Sequence, residues 1–489
     1  MTTVPTTAGL DSIVDGLPNI CGHWNAIEEA ALAADPVFLD DTDIDPSDVQ
    51  SAFALALHMH QPTIPAGGDD LQTAALIGNL QWMVEHPDVH DSHNAGPFAW
   101  CYERMAELVP RLVAQGKSPR IMLDYSGNLL WGLEQMGRQD ILNKLVGVSC
   151  DPKYRRHVEW LGTMWGHAVV SSTPPADIAL HIRAWQEHFA AIFGTEALAR
   201  VRGFSPPEMH LPNDPDIVYL YVQALLDAGY TWLLVQEHTV ENPDGSGLRQ
   251  PHLPHRLVVR NSDGDTVSIT ALVKTQGSDN KLVAQMQPLG EARTLNRQEL
   301  GGVAIPPLVT QIGDGENGGV MMNEFPQAYL GRMAELDNRG VVALNGTEYL
   351  ELVEAAGVKP QDFIPIQPIF QHAIWSRVEG AGRQAVDRAV EAAKAEVPDF
   401  HLDGGSWTNN ISWEQGYENV VNPMDQLSAK FHQTLDGKDV DPSSPQYRSA
   451  LLHLLISQTS CFRYWGQGRW TDYAREICRR GADILQNNF

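Results

Sequence analysis

The sequence predicts an α/β fold, in which a parallel β/α sheet or barrel is followed by a mostly helical region. Two features of the pattern predict it. From about residue 50 to about residue 345, short apolar runs alternate with stretches of helical spacing, as in parallel strands joined by helices. Beyond that point helical periodicity dominates, in 384–395, 449–460 and 471–485. A chain of 489 residues is long enough for a large barrel and one appended domain.

Seven apolar runs are predicted to be the strands of this sheet. In chain order they are 51–57, 120–124, 168–172, 201–204, 231–235, 267–274 and 308–312. Helices predicted at 99–115, 177–193 and 216–228 are each followed directly by a glycine, the residue that most often ends a helix. We therefore divide the chain into an acidic N-terminal extension (1–50), a barrel (51–345) and a mostly helical C-terminal domain (346–489).

The composition bounds the class of partner. The formal net charge is −27, from 61 acidic and 34 basic residues, which argues against nucleic acid or an anionic membrane as partner. A neutral or cationic small substrate fits such a surface. Five cysteines without C-x-x-C spacing, and an N-terminus without a basic start and an apolar run, predict a reduced cytoplasmic protein with no signal peptide. No apolar run reaches membrane-spanning length.

A carboxylate follows the fourth predicted strand, in Gly203-Phe204-Ser205-Pro206-Pro207-Glu208-Met209. Prolines cannot donate to a sheet, so they end the strand and leave Glu208 at its carboxyl end. That end is where α/β folds keep their chemistry. The alternative is an ordinary loop glutamate that caps the next helix.

Acidic and imidazole side chains recur at the carboxyl ends of other predicted strands. They are His58, His60, Asp279, Asp314 and Glu316. If the strands are parallel, these side chains meet at one face of the barrel. Two carboxylates on facing strand ends are what glycoside hydrolysis needs, since one attacks the anomeric carbon and the other protonates the leaving oxygen.

The pair His58 and His60 has three open interpretations. Residues two apart on a strand point the same way, so both imidazoles face one site. They could bind a metal ion together with Asp124, hydrogen-bond a substrate, or be buried structural histidines.

Two aromatic stretches are candidates for sugar binding. One, at 404–413, carries Trp407 and Trp413 in a polar, glycine-rich setting, and the other, at 462–470, includes Tyr464 and Trp465. Sugar rings stack their apolar faces on indoles, while their hydroxyls take polar partners. The alternative is a tryptophan-rich core between domains.

Taken in order, these motifs resemble glycoside hydrolase family 57. The family's H-x-H-Q-P run corresponds to 58–62, which adds Gln61 to the candidate site. Its G-F-W-x-P-E run corresponds to 203–208, with Ser205 in place of the tryptophan. Its D-E-K-L run resembles 279–282, its D-G-E resembles 314–316, and its late aromatic pair resembles Tyr464-Trp465. The chain departs from the family's usual pattern at 165–175 and at 460–463.

The resemblance implies a (β/α)7 barrel, a distorted TIM-like form, with a helical domain. It also implies retaining chemistry on α-glucans or maltooligosaccharides, without a cofactor or metal, as in an α-amylase, a 4-α-glucanotransferase or a branching enzyme. Glu208 would be the nucleophile and Asp279 the acid/base. The candidate substrate-binding residues are His58, His60, Gln61, Asp314, Glu316, Trp407, Trp413 and Trp465.

Two rivals remain open. One is a metal-dependent amidohydrolase or polysaccharide deacetylase that uses His58, His60 and Asp124. The other is a glucan-binding barrel without activity, which the replacement at Ser205 favours. The sequence does not distinguish hydrolysis, transfer and branching, and it does not fix the oligomeric state. We also hypothesise that residues 1–50 and the 404–413 loop shape the substrate cleft.

Overall fold

Seven parallel strands of the described chain close into a barrel, in the order in which they occur in the sequence. The computed structural model describes residues 9–275, 277, 281–316, 323–405, 418–464 and 468–489. The barrel strands are β1 (Val49–Met59), β2 (Ile121–Tyr125), β3 (Val158–Gly162), β4 (Gly203–Phe204), β5 (Trp232–Gln236), β6 (Thr266–Lys274) and β7 (Leu308–Asp314). Each pairs in parallel with the next, and β7 pairs with β1 to close the ring. The predicted (β/α)7 barrel is therefore confirmed.

The first strand shows how the barrel is packed. Its alternate residues Ala52, Ala54 and Ala56 lie in one buried apolar cluster, and Phe53, Leu55 and Leu57 lie in another. Burial on both faces is expected for parallel strands, since side chains fill the barrel on one side and helices cover the other. His58 continues the alanine row at the point where β1 ends.

Helices connect the barrel strands and form the C-terminal region. They are Trp24–Ala31, Asn79–Glu85, Ala95–Glu103, Met105–Ala114, Gly127–Gln135, Gln139–Cys150, Pro175–Phe193, Thr195–Leu198, Pro215–Asp227, Lys281–Ala284, Gln287–Ala292, Phe325–Glu335, Gly346–Ala355, Gln371–Trp375, Arg383–Glu396, Glu418–Leu435, Pro445–Ser457, Ser460–Tyr464 and Arg469–Asn488. The predicted C-terminal helical region is confirmed, and the domain boundaries at 50 and 345 stay predictions. In the described part of the chain, no helix combines the length and apolar character needed to cross a bilayer.

Short strands lie outside the barrel. They are Ile13–Val14, Leu17–Pro18, Thr63–Gly67, Ala75–Gly78, Val240–Glu241, His255–Arg260, Gln298–Leu300, Val303–Ile305, Gly340–Ala343 and Ile364–Pro368. His255–Arg260 pairs with β6 in antiparallel and with Ile364–Pro368 in parallel, so the mostly helical C-terminal region adds one strand to the main sheet.

Two predicted elements differ from the structure. The third strand is β3 and not 168–172, where Ala168 makes an isolated bridge and Val170–Ser172 forms a 3-10 helix. The reason is Glu159, which interrupts the apolar pattern of β3 but is buried there and accepts hydrogen bonds from Thr347. The helix predicted at 99–115 is in fact two helices, Ala95–Glu103 and Met105–Ala114.

The N-terminal segment contacts the amino end of the barrel. The Glu351 carboxylate accepts the backbone N–H groups of Val37, Phe38 and Leu39 at 2.5, 2.7 and 2.8 Å. Arg120, directly before β2, binds Asp43 at 2.8 Å and the buried Glu348 at 2.7 Å. This end lies opposite the carboxyl ends of the strands, so residues 37–43 lie away from the cavity end of the barrel, and the hypothesis for the segment as a whole stays a prediction.

Candidate active site

The carboxyl ends of the barrel strands open onto a cavity of about 900 Å³. Ligand sites of proteins run from about 300 to 1,000 Å³, so this cavity lies at the large end of the range. Six residues singled out from the sequence line it, namely His58, His60, Gln61, Glu208, Asp314 and Glu316. They come from β1, β4 and β7 and the turns that follow these strands.

The short strand β4 provides a rigid base for the turn that carries Glu208. A Cβ atom at Gly203 would lie 2.2 Å from Cζ2 of Trp232 on β5, so only glycine allows this close approach. The Phe204 ring packs edge-on against Tyr230 and Tyr221, with centroid distances of 5.0 and 6.0 Å. The strand's end is therefore fixed by tight packing on both sides.

Glu208 is presented by two consecutive residues in the left-handed conformation. Glu208 has φ 59° and ψ 19°, and Met209 has φ 51°. Two backbone hydrogen bonds hold the turn. The Ser205 N–H donates to the Gly162 carbonyl at 2.8 Å, and the Met209 N–H donates to the Pro206 carbonyl at 2.9 Å. A conformation of this kind costs about 1–3 kcal/mol per residue, and such residues cluster at active sites. The predicted position of Glu208 at a strand's carboxyl end is confirmed.

His58 forms a buried pair with Asp124 on the neighbouring strand. The register places the two residues opposite each other on β1 and β2, and His58 Nδ1 lies 2.9 Å from Asp124 Oδ2. Burial lowers the pKa of His58, but the Asp124 carboxylate outweighs that effect and the net result is a pKa of about 10. His58 is therefore a cation at neutral pH, and its Nε2–H is available as a donor.

Two further imidazoles stack beside His58. The ring of His167 lies 4.6 Å from that of His58 and 4.2 Å from that of His60, between centroids. The Nδ1 atoms of His60 and His167 each contact a serine hydroxyl at 2.7 Å, on Ser126 and Ser460 respectively.

Burial lowers the pKa of His60 and His167 well below the usual value, and the neighbouring histidines lower it further. Both rings are therefore neutral at physiological pH. Their Nε2 atoms are buried and have no hydrogen-bond partner among the described residues. A buried polar atom without a partner is costly, so both nitrogens are suited to a hydroxyl of a bound ligand.

Two carboxyl groups follow from β7. Asp314 ends the strand opposite His58, and Glu316 Oε1 accepts the His60 backbone N–H at 2.6 Å. Burial raises the pKa of Glu316 to about 8, against the effect of the His58 cation. Glu316 is therefore largely protonated at neutral pH, and its Oε2 atom has no hydrogen-bond partner among the described residues.

Four of the site residues predicted from the sequence lie outside the described residues. They are Asp279, Trp407, Trp413 and Trp465. Their roles, like those assigned to the six cavity residues, stay predictions.

Sequence reasoning did not assign His167, Ser126 or Ser460 to the site. His167 follows a turn rather than a strand and has φ 55°, so no strand pattern marks it. His167 also lies in 165–175, where the chain departs from the family's usual pattern, so the resemblance did not assign it either.

Among the described residues, His58, His60 and Asp124 are not arranged as three ligands of one metal ion. His58 directs Nδ1 to Asp124, whereas His60 directs Nδ1 to Ser126. Within the ranges that the structure describes, no group of three or more His, Cys, Asp and Glu side chains is arranged to hold a metal ion.

Comparison with known proteins shows the fold. The structure is similar to that of the 4-α-glucanotransferase from Thermococcus litoralis, with a TM-score of 0.55 and 16% identity over 90% of this chain and 60% of that one. It is also similar to an exo-type maltose-forming amylase from Pyrococcus sp. ST04, with a TM-score of 0.51 and 13% identity over 89% of this chain and 72% of that one. This chain thus spans less than two thirds of the glucanotransferase.

Comparison of sequences adds nothing to this. No family model matches the chain, and no curated protein sequence matches it. At 13–16% identity, the likeness to the two solved structures establishes a shared fold and no more.

Proposed function

We propose that this chain is a divergent member of glycoside hydrolase family 57. It would act on α-1,4-linked glucans or maltooligosaccharides as a retaining glycosidase or transglycosylase. The observation that supports it most is the strained turn that aims Glu208 into a cavity lined by hydroxyl-binding groups. The order of the motifs and the fold shared with a glucanotransferase and an amylase point the same way.

The proposed reaction has two steps. In the first, the Glu208 carboxylate attacks the anomeric carbon, the glycosidic bond breaks, and Asp279 gives its proton to the leaving oxygen. In the second, Asp279 takes a proton from water or from an acceptor hydroxyl, whose oxygen displaces Glu208. Two inversions at the same carbon give net retention, and this mechanism needs the two carboxyl groups about 5–5.5 Å apart.

The remaining polar groups would bind sugar hydroxyls around the reacting carbon. His58 Nε2–H is a charged donor whose ring is oriented by Asp124, and the neutral Glu316 carboxyl can donate as well as accept. His60 and His167 offer their unpartnered Nε2 atoms. Buried groups that need a hydroxyl partner discriminate strongly against ligands that lack one.

The test of the proposal is Glu208→Gln, which keeps the size of the side chain and removes the nucleophile. We expect the loss of several orders of magnitude in turnover of maltoheptaose, with an unchanged circular dichroism spectrum. The matched control is Glu391→Gln, since Glu391 is exposed on the helix Arg383–Glu396 and should leave turnover unchanged. Near-normal turnover by a folded Glu208→Gln variant would reject the assignment.

Product analysis separates the related activities and the rivals. Chromatography of the products from maltoheptaose and amylose distinguishes shorter chains (hydrolysis), redistributed chains (transfer) and branched chains. Binding without any change of chain length would favour the glucan-binding rival. Activity lost on dialysis against a chelator and restored by a divalent metal would favour the metal-dependent rival.

A further inference from the structure

Two chain segments that carry none of the proposed reacting groups form a second wall of the cavity. One lies between β1 and β2 and includes the helix Asn79–Glu85, and the other is the start of the helix Arg469–Asn488. We call the two together the cleft wall. The residues of the cleft wall that line the cavity and carry the argument are Asn79, Trp82, Phe98, Arg469, Trp470 and Tyr473.

The helix Asn79–Glu85 turns one face to the cavity. Asn79, Trp82 and Met83 all line it, and positions three and four apart lie on the same side of a helix. The Trp82 ring is partly exposed and stacks on His86 at a centroid distance of 4.6 Å, which orients the indole. A preoriented aromatic face on a cavity wall is suited to stacking against the apolar face of a sugar ring.

The cleft wall is joined directly to the residues that follow His60 in the chain. Asn79 Nδ2 donates to Gln61 Oε1 at 2.9 Å, and the Asn79 backbone N–H donates to the Pro62 carbonyl at 2.8 Å. Gln61 and Pro62 follow His60 in the chain. A ligand that extends from the histidines therefore meets the cleft wall without leaving the cavity.

The two segments of the cleft wall are held together. Arg480, on the C-terminal helix, donates to the carbonyls of Ala74 and Leu71 at 2.7 Å each, in the chain just before Asn79–Glu85. Trp470 and Tyr473 on the same helix pack edge to face, with centroids 5.8 Å apart. Hydrogen bonds thus join the C-terminal helix to the chain that leads into Asn79–Glu85, and Trp470 is fixed against Tyr473.

The chemistry of the cleft wall fits a neutral polyhydroxylated chain. It combines the partly exposed rings of Trp82, Phe98 and Trp470 with the polar groups of Asn79 and Arg469. Aromatic faces with a few hydrogen-bonding groups match the two sides of a glucosyl unit. A net charge of −27 on the whole chain disfavours an anionic polymer in this place.

We propose that the cleft wall binds the glucosyl units beyond the reacting bond, with Trp82 as a stacking platform, and so makes the enzyme select long maltooligosaccharides over short ones. This inference rests on the proposed function, because it takes the reacting bond to lie at Glu208. Trp82 is a specificity-determining residue in this account and takes no part in bond cleavage.

The experiment compares maltotriose with maltoheptaose for the full chain carrying Trp82→Ala. We expect kcat/KM to fall about tenfold for maltoheptaose and less than about threefold for maltotriose, since a lost aromatic contact affects only the ligand that reaches it. Trp82→Phe keeps an aromatic face and should recover most of the loss. The matched control is Trp100→Ala, because Trp100 is 40% exposed in the same segment and is not among the described residues that line the cavity.

Equal losses on both substrates, no loss on maltoheptaose, or the same loss from Trp100→Ala would overturn the inference. Retained turnover of maltotriose shows that the variant is folded. Binding of maltoheptaose to the Glu208→Gln variant, measured by calorimetry, separates the two proposals. If wild type converts maltoheptaose and Trp82→Ala leaves the substrate preference unchanged, only the cleft wall fails. If the chain neither binds nor converts maltoheptaose, both fail.

Discussion

Replacing Asp124 by asparagine should destabilise the protein in a pH-dependent way. Asp124 is 1% exposed and its carboxylate faces His58 Nδ1 at 2.9 Å. Removing one member of a buried ion pair typically costs about 3–5 kcal/mol, because the other group must either stay charged without its partner or, like His58, lose its proton. The change from carboxylate to amide keeps the shape of the side chain, so packing is little affected.

The pKa of His58 leads to a similar value for the stability that the pair contributes. Its pKa rises from an ordinary 6.5 to about 10. At about 1.4 kcal/mol per pKa unit, the pair contributes roughly 4 kcal/mol at pH 7. A raised histidine pKa stabilises the fold fully below about pH 6.5, and the effect is lost as the pH rises through about 10. The difference in the free energy of unfolding between wild type and Asp124→Asn should therefore shrink between pH 6 and pH 10.

The assay is urea unfolding of both proteins at pH 6, 8 and 10. The matched control is Asp140→Asn, which removes a surface pair with Arg138 where the aspartate side chain is 55% exposed. Surface pairs contribute about 0–1 kcal/mol, and this one should show no trend with pH over the range. A loss below about 1 kcal/mol for Asp124→Asn, or the same loss at pH 6 and pH 10, would refute the reasoning.

Two further predictions concern other parts of the molecule. Deletion of residues 1–48 should lower soluble yield and stability, because Ile27 and Phe38 are buried against the rest of the chain. The product pattern of the enzyme that remains soluble should be unchanged. A soluble, stable protein with altered products would contradict this. Glu316→Gln should gain stability relative to wild type as the pH rises from about 4.5 to about 8, since a buried carboxyl with a raised pKa opposes folding over that window. Thermal unfolding at pH 5 and pH 8 measures it, and a constant difference would count against a protonated Glu316.

How far the sequence predicts this structure depends on whether a local pattern marks each element. β1 and the position of Glu208 after a strand's end could be predicted, because an apolar run and two prolines define them locally, whereas no residue pattern indicated the left-handed turn. β3 could not, since Glu159 looks like a surface residue until Thr347, distant in the sequence, supplies its hydrogen bonds. His167 was missed for a similar reason: it reaches the site through a left-handed turn and a contact with Ser460.

The central claim is that Glu208 carries the sugar during the reaction. A 5-fluoroglucosyl fluoride should react to form a glycosyl–enzyme ester that breaks down slowly. Mass spectrometry of the digested protein then locates the added mass. The account predicts one labelled peptide with the modification on Glu208 and no label in Glu208→Gln. A label on another carboxylate, or fluoride release without any labelled peptide, would contradict it.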